Sequence, residues 1–440
     1  MISTVPEEGK CGVAYVISTL PEEGKCGVAY GTKGRRCRFD VLPGLSTCAQ
    51  HQDRYLPCPV DPSHSVHASR LNRHVRKCSH LRDLRVVKSQ PFFRQGINVG
   101  AMDSESCALD ANDTSFDVTQ DLASRITKAY FLAVREVLGE DTDADALLEV
   151  SVVAEPTAMS HADKHGAQNS ALVDLISDQA LSKDAVVVEY GCGRGGLATT
   201  LLASDEQKRC VLVERETRRH KLENRSRSDF EGRILRLRLD IADFDLGALL
   251  EAPVDVEDSA RQDAASFQRE GVDSGAARRL QDTWQAAAAL QAQPWPPSSV
   301  LACAKHLCGG ATDMTLRSLH CLQGRVGAAV CIATCCHHRC DAKAYINLDF
   351  IQKLGLCGLG GQGFAELAAA AGWAVGGAGG IEGLERRRIG MMAKRILDLG
   401  RVAWLQETLL LQDARITSYI DKSVTPENIV IVAKASAKPS

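Results

Sequence analysis

The sequence predicts a doubly wound α/β domain preceded by two small cysteine- and histidine-rich modules, and three observations carry that prediction. Short continuous apolar runs alternate with helical stretches from about residue 120 to the end, the pattern of buried parallel strands joined by crossover helices. The first of these runs, Val186–Glu189, passes directly into a glycine-rich loop at Gly191–Gly196. Six of the seventeen cysteines (11, 26, 37, 48, 58, 78) and five of the twelve histidines (51, 64, 67, 74, 80) fall within the first 80 residues, a stretch too thin in apolar side chains to fold on a core alone.

Composition bounds the rest. At 440 residues and 45% apolar the chain holds two or three domains and is neither wholly disordered nor fibrous. No run of about 18 apolar residues occurs, and Glu7, Glu8 and Lys10 stand where a signal peptide needs an apolar core. The chain is therefore expected to be intracellular (cytoplasmic or nuclear), with reduced thiols available for metal, and monomeric. Lys+Arg 52 against Asp+Glu 55 leaves a net charge of −3. Residues 31–90 carry twelve Lys/Arg and four acids, a balance of +8 that leaves −11 for the remainder. Such asymmetry suggests that one end meets a polyanion, with a solubilising charged face as the plain alternative.

The elements follow in order. Ile2–Tyr15 and Ile17–Tyr30 are near-perfect copies differing only at Val5 and Leu20, too few units for a solenoid, so 1–25 is read as a duplicated segment. Cys26, Cys37, Cys48 and His51 are spaced x10, x10, x2. Three thiolates and an imidazole suit a closed, structural, tetrahedral zinc site over 26–52, for which Cys11 is a duplicate rival to Cys26. Cys58, His64, His74 and Cys78 form a second set over 56–80, with His74 and Cys78 one helical turn apart and His67 and His80 as alternatives. Lys33, Arg35, Arg36 and Arg38 interleave with the first set and Arg70, Arg73, Arg76 and Lys77 with the second, so metal would fix a phosphate-binding surface, with RNA the natural polyanion.

Residues 81–120 are expected to be a linker and 121–440 one α/β domain, opening on a helix with Leu122, Ile126, Ala129, Tyr130, Leu132, Ala133 and Val137 on one face. Val186–Glu189, Val211–Glu214, Leu235–Asp240, Val300–Ala304, Ala328–Ile332 and Asn428–Ala433 read as buried parallel strands. The Ala/Gln/Asp-rich stretch at about 251–298, ending in three prolines, reads as a disordered insertion.

The loop after the first strand, EYGCGRGG, fits both a dinucleotide pattern and the E-x-G-x-G-x-G of S-adenosylmethionine (SAM) enzymes. Glu189 directly before it, Glu214 ending the second strand and Asp240 ending the third favour SAM, with Glu214 on the ribose and Asp240 near the adenine; Asp240 could equally cap a loop. The fold class is thus a Rossmann-like class I SAM-dependent methyltransferase domain preceded by two small zinc fingers, and the cofactor-binding set is Glu189, Gly191, Gly193, Gly195, Glu214 and Asp240.

Both finger spacings, KHGAQ (Lys164–Gln168), VEYGCGRGGL, VERETRRHKLENR (Val213–Arg225), AKHLCGGATDMTLR (Ala304–Arg317), CCHHRC (Cys335–Cys340) and ERRRIGMMAKRILDLGR (Glu385–Arg401) together resemble the tRNA:m(4)X modification enzyme family. The resemblance covers most of the chain outside the first repeat, the linker and the insertion. It implies a tRNA 2'-O-methyltransferase that uses SAM and two structural zinc ions to methylate the ribose of the nucleotide at position four of the acceptor stem. The chain departs at Tyr190 and Cys192, where the family implies other small or aromatic residues, and at Glu214, where Asp is commoner in the family.

Methylating a ribose needs the 2'-hydroxyl and the sulfonium methyl held in line, and a destination for the proton. Lys305 and His306, closing the fourth strand, are the expected catalytic residues: Lys305 as base or as phosphate clamp, His306 as the rival base. For Cys335, Cys336, His337 and His338 a third metal, a proton relay and a ribose pocket are open, with a substrate pocket favoured because adjacent residues point apart. Arg386, Arg387, Arg388, Lys394 and Arg395 of Glu385–Arg401 read as a tRNA phosphate contact or as solvated surface. Two readings compete: a non-catalytic zinc-finger RNA-binding adaptor with a vestigial SAM fold, and a nicotinamide oxidoreductase resting on the glycine loop alone.

Overall fold

The structure, a computed structural model, describes residues 25–26, 29–30, 35–40, 48, 55–62, 65–76, 78–100, 120–148, 160–179, 182–218, 221–226, 228–251, 274–292, 294–356, 362–375 and 380–434. Cys11, His51 and His64, expected above as a rival ligand and two ligands, lie outside the described residues. The chain divides into two compact units, residues 1–87 and 88–440.

The first unit holds two miniature ββ folds. Strands β1 (Ala29–Tyr30) and β2 (Arg35–Arg36) pair antiparallel, as do β3 (Tyr55–Pro57) and β4 (Ser65–His67). Helix α1 (Leu71–Val75) follows β4 and carries His74, and α2 (Ser79–Lys88) begins directly after Cys78. The described side chains buried in the first of these folds are Cys26, Cys37 and Cys48. Among the described residues this core is three thiols, the donor set of a metal site, and metal ligation there would contribute directly to folding.

The second unit is built on a seven-stranded sheet. Its strands are β5 (Val186–Tyr190), β6 (Arg209–Val213), β7 (Ile234–Leu237), β8 (Ser299–Leu307), β9 (Gly327–Thr334), β10 (Arg415–Ser418) and β11 (Ile429–Ala433), in the order β10-β11-β9-β8-β5-β6-β7. The pairs β5–β6, β6–β7, β5–β8 and β8–β9 are parallel. Every residue of β5, β6 and β11 is buried, as continuous Val/Leu/Ile runs covered on both faces require. Strand order reverses between β5 and β8, and a ligand cleft is expected outside the carboxyl ends of strands at such a switch point.

Helices cover the sheet: α3 (Gln120–Leu138), α4 (His161–Asp178), α5 (Gly196–Ser204), α6 (Leu246–Leu249), α7 (Ser274–Gln291), α8 (Ala311–Ser318), α9 (Leu348–Lys353), α10 (Gln362–Ala371) and the long α11 (Gly380–Thr408). The face expected on α3 is buried at Leu122, Ile126, Ala129, Tyr130 and Ala133, while Leu132 is exposed. The face expected on α11, Ile389, Met392, Ala393, Ile396 and Leu397, is buried throughout. Among the described residues no helix is long and apolar enough to cross a membrane.

Three expectations are corrected. The last strand, β11, runs antiparallel to β9 and to the unforeseen β10. The insertion at 251–298 is not disordered over 274–291, where α7 buries Leu280, Ala287 and Leu290; Ala, Leu and Gln are strong helix formers, and one face is apolar. The linker at 81–120 begins instead as α2, and the segment that follows it, up to Gly100, is part of the second unit. There Asn98 donates to Ile241 O at 2.7 Å and Phe244 O at 2.8 Å, and Gly96 N donates to Asp243 Oδ1 at 2.8 Å.

Candidate active site and metal centres

β5 delivers the chain into the glycine loop, and the loop geometry explains its composition. Gly191, Gly193 and Gly195 have φ of +61°, +53° and +79°, values that a Cβ disfavours. A Cβ on Gly195 would also stand 2.9 Å from Arg236 Nη2 and from Glu223 Oε2, whereas Gly193 has open space around it. Beneath the loop, Arg236 of β7 pairs with Glu223 through Nε and Nη2, and its Nη1 donates to Gly193 O at 3.1 Å and Cys192 Sγ at 3.0 Å. This bidentate pair holds the loop from below. Neither residue was given a role from the sequence, although Glu223 lies within the quoted VERETRRHKLENR run. The departures from the family pattern are accommodated: Cys192 meets Arg236, and the Tyr190 hydroxyl lies 2.7 Å from Ser318 Oγ.

The three acids expected at the cofactor divide. Glu214 stands at the loop: its Oε2 accepts from Gly193 N at 2.8 Å and its Oε1 from Glu216 N at 2.9 Å. Glu189 instead turns inward. It is 4% exposed and accepts from Ala198 N at 2.9 Å, bracing the first turn of α5, where a carboxylate complements the helix N-terminus. Asp240 accepts from Ala242 N at 3.0 Å and caps a short 3-10 turn, while its other oxygen faces Arg215 at 3.6 Å. The capping alternative for Asp240 is the one its hydrogen bond fits.

Burial raises the Glu189 carboxyl to about 7, although its bond to Ala198 and the charges of Arg236 and Lys305 pull it down. A carboxyl raised on folding contributes stability present below its ordinary pKa of about 4.5 and lost as pH rises through about 7. Glu189→Gln keeps the acceptor without the charge. Its stability relative to wild type should therefore increase between about pH 5.5 and about pH 8, as read by urea denaturation; a difference that does not change with pH would contradict a buried, charge-penalised carboxyl.

β8 supplies the other wall. Glu189 and Cys303 are register partners, so Lys305 emerges beside the glycine loop. Its Nζ donates to Asn169 Oδ1 at 2.6 Å and lies 3.3 Å from His165 Nδ1, both on α4. His165 and Asn169 are one helical turn apart and face the same way; KHGAQ was part of the quoted resemblance, but no role was assigned to either. Burial draws Lys305 below the usual lysine range, with Glu189 opposing. His306 is the extra residue of a β-bulge between Lys305 and Leu307, with φ +68°, a strained conformation of the kind that re-aims a side chain at a site. Burial, Lys305 and His165 pull its imidazole down to about 4, so at neutral pH it carries no charge.

CCHHRC separates into two groups. His337 is 2% exposed; its Nε2 lies 2.7 Å from Asp398 Oδ1 and its Nδ1 2.7 Å from Cys335 O. With both ring nitrogens occupied it has none to offer a substrate, which corrects its assignment to the substrate pocket. It belongs to a buried network in which Arg401 donates to Asp313 at 2.7 and 3.1 Å, to Asp398 at 3.2 Å and to Cys340 Sγ at 3.2 Å. Burial raises the Asp398 carboxyl, but His337, Arg401 and Arg395 outweigh it and hold the group below the usual carboxylate range. Arg395 and Lys394, read from sequence as phosphate contacts or solvated surface, are 5% and 6% exposed and are paired with Asp398 and Glu427. His338 is exposed. Cys335 and Cys336 meet Cys308, the three Sγ atoms all lying within 4.8 Å of one another.

In the first unit, Cys26, Cys37 and Cys48 converge, as do Cys58, His74 and Cys78. Cys37 and Cys48 Sγ are 3.8 Å apart, Cys58 and Cys78 Sγ 3.9 Å, and His74 Nε2 is 3.2 Å from Cys58 Sγ. Zinc–sulfur bonds of about 2.3 Å in a tetrahedron give edges of about 3.8 Å, so both clusters fit zinc. The alternative ligands are engaged elsewhere: His67 Nδ1 accepts from Ser69 N, and His80 faces Asp61 at 3.9 Å. Arg38, Arg70, Arg73 and Arg76 are exposed around the clusters.

A family model described as Methyltransferase TRM13 matches residues 167–259, 286–383 and 378–434, and one described as U11-48K-like CHHC zinc finger matches residues 55–79. The chain is 26% identical over 469 residues to the tRNA:m(4)X modification enzyme TRM13 of Vanderwaltozyma polyspora, covering 91% of this chain and 95% of the relative. It is 23% identical over 457 residues to the protein of the same name from Saccharomyces cerevisiae, covering 87% and 86%. To the Homo sapiens homolog it is 25% identical over 527 residues, covering 97% and 95%. Among solved structures it is similar to the plantazolicin methyltransferase BpumL in complex with SAH, at 9% identity over 72% of this chain and 98% of that chain, with a TM-score of 0.28.

Proposed function

Because the chain belongs to the methyltransferase TRM13 family, we propose that it transfers the methyl group of SAM to the ribose 2'-oxygen of the nucleotide at position four of the tRNA acceptor stem. The observation that carries this reading is the meeting of the glycine loop, Glu214 and Lys305 at the switch point of the parallel sheet. The residues present fit the cofactor: the left-handed glycines leave open backbone at Gly193, and a carboxylate directly after β6, Glu214, can accept from ribose hydroxyls. The bound cofactor supplies a methyl group on a sulfonium centre. The loop backbone and Glu214 would hold it.

Lys305 is the group that handles the proton. Asn169 and His165 fix its amine, and burial favours the neutral form, whose lone pair can take the 2'-hydroxyl proton as oxygen attacks carbon. His306, drawn down to about 4, is the weaker acceptor. The exposed arginines of the fingers grip phosphate along the acceptor stem, and zinc bound by Cys26, Cys37 and Cys48 and by Cys58, His74 and Cys78 would supply the folding energy that fixes them.

Removing the finger metal should therefore separate the two ligands. Cys58→Ser with Cys78→Ser is expected to weaken tRNA binding at least about tenfold by fluorescence anisotropy, with SAM affinity by calorimetry unchanged. Equal tRNA binding would remove the fingers from substrate recognition. The reading as a whole is tested by methyl transfer from labelled SAM to unmodified tRNA; no transfer under conditions where SAM binds would overturn it.

A further inference from the structure

We propose that the second unit holds a third zinc site, formed by Cys308, Cys335 and Cys336, with its fourth coordination position open at the mouth of the cleft. The site arises from strand pairing. Leu307 ends β8 and Thr334 ends β9, and the two are register partners, so Cys308 and the Cys335–Cys336 pair leave neighbouring parallel strands at the same level. Adjacent cysteines alone point apart; the third thiol, from the next strand, completes a converging set. The three Sγ atoms lie within 4.8 Å of one another, and Cys308 and Cys335 Sγ are 3.6 Å apart. That spacing matches the 3.8 and 3.9 Å of the finger thiols in the same chain and the edge of about 3.8 Å of a zinc–sulfur tetrahedron. It is far from the bond length of about 2.05 Å in a disulfide.

Two neighbouring donors are engaged elsewhere. His337 is held by Asp398 and Cys335 O, and Cys340 Sγ accepts from Arg401. Cys335 is buried, whereas Cys308 and Cys336 are half-exposed, so the remaining position faces outward. Three protein ligands and one open position make a site at which an oxygen ligand, water or a substrate hydroxyl or phosphate, can bind and exchange. The inference does not depend on the proposed reaction, because its test counts metal.

The test uses the full chain purified with zinc under reducing conditions. Cys308→Ser combined with Cys336→Ser should lower the zinc content by one equivalent relative to wild type, measured by inductively coupled plasma mass spectrometry with circular dichroism as the fold control. Equal zinc in the two proteins would overturn the site. Wild type gives a second readout that needs no variant: alkylation of Cys308 and Cys336 by iodoacetamide, mapped by mass spectrometry, should be at least about tenfold slower with zinc than after chelation. Equal labelling rates, or recovery of Cys308 and Cys335 as a disulfide from the zinc-loaded protein, would contradict it.

Discussion

Lys305→Ala is expected to bind SAM within about twofold of wild type while turnover falls by ~10²–10⁴-fold, the range that one positioned proton acceptor contributes. The binding half follows from the contacts, since Lys305 bonds Asn169 and His165 and none of the glycine loop. The catalytic half follows from its place one strand from the loop, with burial lowering its pKa. Lys305→Arg separates the two possible roles. Arginine keeps the charge but cannot lose its proton, so a phosphate clamp would survive that change and a base would not; the base predicts loss in both variants. The sign of the pH dependence follows from the same assignment. Only neutral Lys305 accepts a proton, so wild-type kcat should rise with pH up to a plateau set below the ordinary lysine value. Full activity of Lys305→Ala would remove the residue from catalysis.

Arg401→Ala is expected to destabilise the second unit by roughly 3–5 kcal/mol, the cost of leaving the buried Asp313 carboxylate without its charge partner. Arg401 is 1% exposed and Asp313 and Asp398 are 0% exposed, so water cannot replace the lost guanidinium. The melting temperature should fall by roughly 10 °C, at about 2–4 °C per kcal/mol for a domain somewhat smaller than this one. Asp313→Asn in the same chain should restore part of the loss, with about 1–3 kcal/mol of coupling in the double-mutant cycle. Strictly additive losses would mean that Arg401 and Asp313 do not act as a pair.

The sheet was legible where burial makes strands continuous. Val186–Tyr190 and Arg209–Val213 are buried residue by residue, and in parallel sheets such runs stand out from their surroundings. β10 was missed because a four-residue edge strand, RITS, with two exposed positions carries no such run. The direction of β11 depends on where α11 returns the chain, and no local periodicity encodes that. The Ala and Gln content of α7 resembles that of a disordered stretch and hides its helical face, on which Leu280, Ala287 and Leu290 are buried.

The candidate site divides in the same way. The glycine loop and Glu214 were visible because their spacing along the chain is their spacing in the fold. Asn169 and Lys305 lie 136 residues apart, and only the packing of α4 beside β8 brings them together. Cys308 stood alone in KHLCG until register placed it against CCHHRC. Asp398 and Arg401 lay in sequence as an i, i+3 pair within the expected helix, a signal of pairing that a tally of arginines obscured.

The measurement that bears most directly on this account is nucleoside mapping of unmodified tRNA after incubation with the zinc-loaded protein and methyl-labelled SAM. One label per tRNA is expected, in a ribose-methylated nucleoside at position four of the acceptor stem, absent when Lys305 is replaced by alanine. Label on a base, or at another position, would contradict it.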